Sequence, residues 1–456
     1  MRTILHIDFN SYFATVEQQA NPRLRGKPIG VTGGDRMKRT VLGAASVEAK
    51  KFGVKTGMQI WEAKKLCPNI ILVSGDSDKY LECTKRFLTI LKAYSPYLEV
   101  FSIDEVFMET YEIWDPAPSV IPAKAGIHTN HLWIPDQVRD DNIKTTCDFA
   151  NAYLIAQQIK SRIRSEIGEW ITCSIGISYN KLMAKLAGSL QKPDGLVVIA
   201  NPEETVKILD EIALDEICGI GGRIKVRLNK MGIFHFKQLR QVPLEILTFQ
   251  FKSYGNFLYN AARGIDESPI IPFYEKEEIQ SVSHRHTIDH DTDDLREIKQ
   301  ILLKLTELIA RRARAKKLVG KTVNCWFRYG LHPRGEYQVT FSVHPGGVFT
   351  GNGMQITIQY TNDGLEIFQA AWRSFQSMWN GSKIRMIGVS ISNLKPQTPQ
   401  NLSFLDEVKQ KEVIIKALDK INDKYGEFTL KRAILLGTPI IRRTPNPFLT
   451  DRRFKV

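Results

Sequence analysis

The spacing of hydrophobic and polar residues alternates between strand and helix patterns along the first hundred positions. Residues 3–7 form a short β-prone run that ends at Asp8, and residues 12–19 then have helical spacing. Residues 78–94 repeat their apolar side chains every three or four positions, which predicts an amphipathic helix. Residues 98–109 have the composition of a strand that contains an acidic pair. This order of elements predicts a mixed α+β core.

The rest of the chain predicts a second α/β region after a helical one. The predicted segments are a helix at 149–167, a strand at 170–178, a glycine-punctuated helical region at 208–247, a linker at 264–278, an α/β region at 280–394 and a helical tail at 406–424.

The charge balance favours a polyanionic partner. The chain has 456 residues, and 63 Lys and Arg against 49 Asp and Glu give a net charge of +14. Such an excess indicates nucleic acid first and a membrane surface second, although many soluble proteins are merely basic. No apolar run approaches the ~18–20 residues of a membrane span. The six cysteines lack metal-ligand spacing, which predicts reduced thiols in a cytoplasmic protein.

Residues 115–142 differ in character from their surroundings. They contain four prolines and no sustained periodicity, which predicts a surface insertion. The phrases SVIPAKAGIH and WIPDQVRDD resemble the translated form of a repetitive palindromic element of bacterial genomes. This resemblance implies a genomic passenger with no catalytic role.

Asp8, Asp104 and Glu105 carry the strongest chemical signal. Asp104 and Glu105 are adjacent in an apolar run, where charged residues are rarely buried unless they are paired or bind a metal. Strand neighbours face opposite sides, so both acids can serve one site only if a turn breaks the strand. A hairpin tip would bring both to Asp8, where three carboxylates would need divalent cations such as Mg²⁺. The spacing leaves open a second interpretation, in which two exposed turn acids are unrelated to Asp8.

Several motifs resemble those of a known family. HIDFNSYFATVE, at residues 6–17, and FSIDEVF, at residues 101–107, are similar to motifs of the Y family of DNA polymerases, the translesion enzymes, and above all of its bacterial members. The resemblance covers essentially the whole chain except residues 115–142. Further matches follow in the family's order at residues 26–29, 48–53, 175–181, 184–195 and 219–221.

The resemblance implies an α+β multidomain fold like a right hand. It has a palm, small fingers, a helical thumb with a helix-hairpin-helix, and an α/β little finger. The expected boundaries are residues 1–14 and 76–199 for the palm, 15–75 for the fingers, 200–265 for the thumb, 266–279 for a linker, 280–398 for the little finger and 399–456 for a C-terminal tail.

The family pattern also implies roles for individual residues. Asp8, Asp104 and Glu105 match the catalytic acids, which with the backbone carbonyl of Phe9 would hold two Mg²⁺. Phe13 matches the steric gate, a ring that would collide with the 2′-hydroxyl of a ribonucleotide; without the family, helix core would be its simpler interpretation. The expected nucleotide-binding residues are Tyr12, Phe13, Lys50 and Lys192.

The fingers segment departs from the family pattern. Relatives usually carry Thr, Tyr and Arg where this chain has Ala44, Val47 and Lys50. Lys50 keeps the positive charge but lacks the bidentate fork of arginine, and Val47 offers no hydrogen bond. These changes bear on nucleotide affinity and leave the acids intact.

Two segments are candidates for DNA contact. CGIGGRIKVRLNKMGI, at residues 218–233, resembles a helix-hairpin-helix whose glycines let backbone N–H groups approach a phosphate. ARRARAKK, at residues 310–317, ends a helix with five cations, which could equally be a solvated helix end. The expected DNA-binding residues are Gly219, Gly221, Lys225, Arg311, Arg312, Arg314 and Lys316.

QNLSFL, at residues 400–405, resembles a degenerate form of the peptide that docks on the bacterial sliding clamp. An alternative is a loop that packs two of these side chains on its own domain. The expected clamp-binding residues are Gln400, Leu402, Phe404 and Leu405.

The motifs therefore predict a DNA-directed DNA polymerase that transfers a nucleotide from a dNTP to a primer 3′-hydroxyl. Its expected partners are primed DNA template, dNTPs and a sliding clamp, and a monomer is the default state. One alternative is a catalytically weak or inactive polymerase-like adaptor in DNA repair. Another is a generic DNA-binding module, which would not require Asp8, Asp104 and Glu105 together.

Overall fold

The computed structural model describes most of the chain. The chain divides near residue 277 into two compact units. No helix among the described residues is long and apolar enough to span a lipid bilayer. The predicted insertion at 115–142 and the predicted clamp motif at 400–405 lie outside the described residues. Those are 2–33, 41–110, 143–275, 278–330, 343–344, 347–348, 351–397, 406–426 and 428–436.

The first unit opens with the predicted alternation of strands and helices. Its N-terminal elements are β1 (Thr3–Phe9), α1 (Tyr12–Ala20), β2 (Ile29–Thr32), β3 (Leu42–Ala45), α2 (Val47–Lys51), α3 (Ile60–Leu66), β4 (Ile71–Ser74), α4 (Ser77–Lys92), β5 (Leu98–Val100) and β6 (Glu105–Thr110). The strand and helix expected at the N-terminus and the amphipathic helix α4 are confirmed.

The described chain resumes with a helix and two more strands, and then becomes helical as predicted. These elements are α5 (Ile143–Glu166), β7 (Cys173–Ser178), α6 (Lys181–Leu190), β8 (Leu196–Ile199), α7 (Pro202–Glu211), α8 (Gly222–Lys230), α9 (Phe236–Gln241), α10 (Leu244–Phe251) and α11 (Tyr254–Ala261).

A five-stranded sheet in the order β5-β6-β1-β7-β8 forms the centre of this unit. Strand β1 is its middle strand and runs antiparallel to β6 and β7. Side chains alternate along a strand, so Leu5 and Ile7 join the core that α4 and α5 complete. His6 and Asp8 face the other side, where α6 packs against the His6 ring. One face of β1 is therefore apolar, and the other carries the acid.

Two smaller cores lie beside the central sheet. Strands β3-β2-β4 form a three-stranded sheet with its own hydrophobic cluster. Helices α7 to α11 share a cluster with α6. The predicted linker packs on the first unit, since the Phe273 N–H donates to the Leu98 carbonyl at 2.9 Å and the Asp266 carboxylate accepts from the Leu182 N–H at 3.0 Å.

The second unit is an α/β region followed by a helix, as predicted for residues 280–394 and 406–424. Its elements are β9 (Ser281–Thr292), α12 (Leu295–Ala315), β10 (Leu318–Tyr329), β11 (Val343–His344), β12 (Gly347–Val348), β13 (Gly351–Thr361), α13 (Gly364–Met378), β14 (Ile384–Pro396) and α14 (Asp406–Tyr425).

An antiparallel sheet in the order β13-β10-β14-β9 organises the second unit. Val323, Phe327 and Ile387 point from this sheet into the core formed with α12 and α13. The helical tail, expected as a separate segment, belongs to this unit: Arg314 of α12 pairs with Asp419 of α14. The docked segment continues past α14, where Leu435 is buried.

Candidate active site and nucleic-acid interface

The acidic pair lies at the hairpin between β5 and β6, as predicted. The strand breaks after Val100, and the N–H groups of Phe101 and Ser102 donate to the Glu105 carbonyl at 3.0 Å. Glu105 then begins β6 directly opposite Asp8 of β1. The Phe9 N–H donates to the Asp104 carbonyl at 2.9 Å, which fixes the turn against the end of β1. The break lets both acids approach Asp8.

Asp8 and Glu105 form a cluster with His6, and Asp104 lies close enough for the charge of Asp8 to act on it. Ligand atoms of His6, Asp8 and Glu105 lie within 4.8 Å of one another. The Asp104 carboxylate accepts a hydrogen bond from the Ser102 hydroxyl. Burial raises the pKa of Asp104, and the negative charge of Asp8 raises it further. The carboxylates of Asp8 and Asp104 are therefore close enough to repel each other, which costs free energy when both are ionised.

Three lysines surround this cluster. The Lys192 ammonium lies 2.9 Å from Asp8 Oδ1, and the Lys185 ammonium contacts Glu105 Oε1. Burial and the nearby charge of Lys192 lower the pKa of Lys50, which is within electrostatic range of Asp8. Lys50 and Lys192, both predicted from the sequence, therefore share the site with the acids.

Asn10 ties the turn that carries Lys192 to the end of β1. Its side-chain amide donates to the Ser174 hydroxyl at 2.9 Å, and its side-chain oxygen accepts from the Asp194 N–H at 2.8 Å. The turn is thereby fixed close to Asp8, two residues before Asn10. The sequence motifs did not single out Asn10, because its role depends on contacts with distant residues.

The donor set fits a hard divalent cation. Carboxylate oxygens are the ligands that Mg²⁺ prefers, and Asp8 and Glu105 contribute them side by side, with the Asp104 carboxylate nearby. A bound cation would also offset the repulsion that raises the pKa of Asp104. An open cavity of about 270 Å³ borders the cluster and is also lined by residues 215–221. The site therefore has room for a substrate beside its ligands.

Phe13, on α1, packs in a stacked arrangement. Its ring stacks on Tyr80 with centroids 4.4 Å apart, and the Tyr80 hydroxyl donates to the buried Glu17 at 2.8 Å. Tyr12 is different: its hydroxyl lies 2.8 Å from the Tyr80 carbonyl and from Thr84. The Tyr12 side chain is therefore held in the core, which leaves only its backbone for the predicted nucleotide contact.

Comparisons with known proteins identify the family. The profile of the impB/mucB/samB family matches residues 7–189, its C-terminal domain matches residues 279–404, and the thumb domain of DNA polymerase-iota matches residues 215–266. The DNA polymerase IV of Pelotomaculum thermopropionicum is 32% identical over 435 residues, which are 95% of this chain and 95% of that protein. The chain belongs to the Y family of DNA polymerases. It is similar to the polymerase IV group, and the DNA polymerase IV of Moorella thermoacetica is also 32% identical, over 95% of this chain and 96% of its own length.

The fold comparison agrees with this assignment. A solved Y-family DNA polymerase chimera superposes with a TM-score of 0.64 at 23% identity, covering 86% of this chain and 99% of its own. The protein is thus a Y-family, DNA-directed DNA polymerase that synthesises past damaged template. None of the comparisons favours the inactive adaptor.

In this Y-family polymerase, the three fingers residues that depart from the family pattern lie in α2 or just before it. Ala44 is buried in β3, and Val47 is the first residue of α2, whose N-cap Ser46 accepts from the Ala49 N–H at 3.2 Å. Lys50 follows one turn later. The helix therefore forms normally despite the substitutions, and Lys50 alone of the three brings a charge near Asp8 and Asp104.

The helix-hairpin-helix glycines lie before α8. Gly219 has φ +101°, and a Cβ there would come within 2.6 Å of the Phe257 ring, so the position requires glycine. Gly221 forms the N-cap of α8, and a Cβ there would meet nothing within 4 Å. The space beside its Cα is therefore not filled by the described residues. Lys225 pairs with Asp215 at 2.6 Å.

The cations predicted on α12 are engaged within the second unit. Arg311 pairs with Asp423, and Arg314 pairs with Asp419, both on α14. Arg312 donates to the Ser283 carbonyl at 3.1 Å, and Lys316 forms the C-cap of the helix. The sequence pattern could not reveal this, because α14 approaches α12 only in the folded chain. The structure therefore shows that these arginines pair within the second unit, and the DNA contact expected of them stays a prediction.

A second group of arginines lies at the other face of the same sheet, where Arg285 and Arg328 are placed by the register and Arg385 is close to Arg328. One cross-strand row on the face opposite the helices consists of Arg285, Gly388, Trp326 and Gly353. The Trp326 indole lies over Gly388, where a Cβ would meet it at 2.2 Å. Arg328 is close enough to Arg285 and Arg385 for their charges to lower its pKa, in addition to the effect of burial. Sequence analysis missed this group because its members come from three different strands.

Proposed function

We propose that the Asp8, Asp104 and Glu105 cluster is the catalytic site of this polymerase and that it works with two Mg²⁺. The observation that carries this proposal is the register of the hairpin, in which Glu105 opposes Asp8 and Asp104 is fixed beside Phe9. Bound Mg²⁺ would supply a clamp on the attacking and leaving oxygens of an in-line phosphoryl displacement. The carbonyl of Phe9 is proposed as a further ligand.

The surrounding residues account for nucleotide binding. Lys192 and Lys50 bring positive charge to the acids and would hold the triphosphate of the incoming dNTP. The Phe13 ring, supported by Tyr80, would lie beneath the sugar and exclude a 2′-hydroxyl. Catalysis is then mainly positioning and charge stabilisation.

We further propose two DNA contacts. The backbone around Gly219 and Gly221 would bind a phosphate without reading sequence, and Lys225 lies on the helix that follows. The open sheet face with Arg285, Arg328 and Arg385 would contact phosphates in place of Arg311 and Arg314. The QNLSFL segment supports docking on a sliding clamp, with the polymerase acting as a monomer.

Primer extension tests the site assignment. The intact protein should extend a primed template in Mg²⁺, and Asp104→Asn should lose about 100-fold or more of that activity because a ligand carboxylate is gone. Asp78→Asn, an exposed acid on α4, is the matched control and should extend normally. Normal extension by Asp104→Asn would overturn the assignment, and folding of each variant is checked by its thermal unfolding midpoint.

A further inference from the structure

His6 occupies the acid cluster without a part in the proposed chemistry. Its side chain is 2% exposed, and Nε2 contacts Glu105 Oε1. The ring lies against Phe107, with centroids 4.7 Å apart, and opposite Gly176 on β7. A Cβ at Gly188 of α6 would come within 2.9 Å of His6 Nδ1. The glycine therefore makes room for the imidazole, and the packing fixes the ring.

The surroundings of the ring decide which nitrogen carries its hydrogen. Nδ1 is buried and has no hydrogen-bond partner among the described residues. An N–H at that position would lack an acceptor, whereas a carboxylate oxygen at Nε2 can only accept. The arrangement therefore fits an imidazole that donates from Nε2 to Glu105.

Glu105 has two partners of different kinds on the same oxygen. Lys185 also contacts Oε1, but its side chain is 24% exposed and its ammonium lies 4.8 Å from the centre of the Phe101 ring. A cation bound beside Glu105 would repel the Lys185 ammonium, whereas an uncharged imidazole would keep its hydrogen bond. Because both partners use Oε1, the other oxygen, Oε2, is left as the ligand.

We propose that His6 is a positioning residue, which holds the Glu105 carboxylate by a hydrogen bond from Nε2 so that Oε2 is presented as a metal ligand beside Asp8. This proposal rests on the proposed function of the acid cluster. Hydrogen-bond partners of ligating carboxylates orient them, and their loss typically lowers metal affinity about 10- to 100-fold.

A matched pair of variants tests the hydrogen bond. In His6→Gln the amide nitrogen lies near the place of Nε2 and can donate to Glu105, whereas in His6→Asn it lies one methylene short. The measurement is Mn²⁺ binding by electron paramagnetic resonance, in a complex with dideoxy-terminated primed template and the matching dNTP, so that no turnover occurs. Asp104→Asn is the reference for loss of a ligand.

We expect His6→Asn to bind Mn²⁺ about tenfold more weakly, and His6→Gln to remain within about threefold of the intact protein. Intact affinity in His6→Asn, or equal losses in both variants, would overturn the proposal. Normal Mn²⁺ binding by Asp104→Asn would instead contradict the proposed catalytic site. A failure of the proposed function can therefore be told apart from a failure of the His6 proposal. Thermal unfolding midpoints check folding, and if His6→Asn does not fold, His6→Phe replaces it as a ring without a donor.

Discussion

Arg314 of α12 donates two hydrogen bonds to the carboxylate of Asp419 on α14, at 2.6 and 2.8 Å. The same guanidinium donates to the Asn362 carbonyl at 2.7 Å. A planar fork used in this way holds two elements together with defined geometry. Arg314 therefore fixes the C-terminal helix to the second unit, and its charge is already partnered before DNA arrives.

Arg285→Ala is expected to weaken DNA binding, whereas Arg314→Ala is expected to leave it near normal. Arg285 lies exposed on the open sheet face, and removing one ion pair with a phosphate should reduce the slope of log affinity against log salt by about 0.9. Fluorescence anisotropy of a labelled primed duplex at several salt concentrations measures both quantities. A salt slope that falls in Arg314→Ala and not in Arg285→Ala would reverse the assignment.

Phe13→Ala is expected to raise ribonucleotide incorporation by about 10- to 100-fold relative to deoxyribonucleotide, because the ring that would meet the 2′-hydroxyl is removed. The measurement is the ratio of kcat/KM for a dNTP and the matching ribonucleotide. Tyr80→Phe is the control: it keeps the stacked ring and removes only the hydroxyl that donates to Glu17. Sugar selectivity that is unchanged in Phe13→Ala would count against the gate.

The buried imidazole of His284 is expected to make the second unit less stable to unfolding at acid pH. Burial and the positive charge of Arg312 lower its pKa from about 6.5 to about 4, and Nδ1 lies 2.8 Å from the Arg312 guanidinium, which can only donate. Between these pH values the unfolded chain takes up a proton that the folded chain does not. Stability is therefore full above pH 6.5 and is lost as the pH falls toward 4.

The variant His284→Asn isolates this effect, because its amide oxygen lies near the place of Nδ1 and does not titrate. Between pH 7 and pH 4 the intact protein should lose about 1–3 kcal/mol of unfolding free energy relative to the variant. Urea unfolding followed by tryptophan fluorescence at both pH values measures the difference. Parallel losses in the two proteins would show that His284 is not responsible.

The hairpin at Asp104 was predictable because two rules conflicted there. Strand alternation sends Asp104 and Glu105 to opposite faces, and the family motif requires both near Asp8, so only a turn satisfies both. The turn found after Val100 is the expected result. His6 was open to the same reasoning, because it shares the period of Asp8 along β1, but a lone histidine in an apolar strand gave no signal of its partner.

Other features depended on contacts that no local pattern carries. Tyr12 and Phe13 are adjacent aromatic residues in one helix, and only the packing of α1 against α4 buries the first and leaves the second partly exposed. Arg314 and Asp419 are 105 positions apart. A cationic helix end predicts exposure until the acidic helix that covers it is known.

Strand β6 separates the acid cluster of this polymerase from the predicted insertion. Glu105 begins the strand and Thr110 ends it, and at about 3.4 Å per residue the two lie roughly 17 Å apart. The segment that leads into 115–142 departs from the Thr110 end, and the chain returns in α5. A peptide inserted after Thr110 would lengthen the protein without shifting the register of Glu105 against Asp8. The same site is therefore suited to carrying a foreign peptide, such as an affinity tag, in an active enzyme.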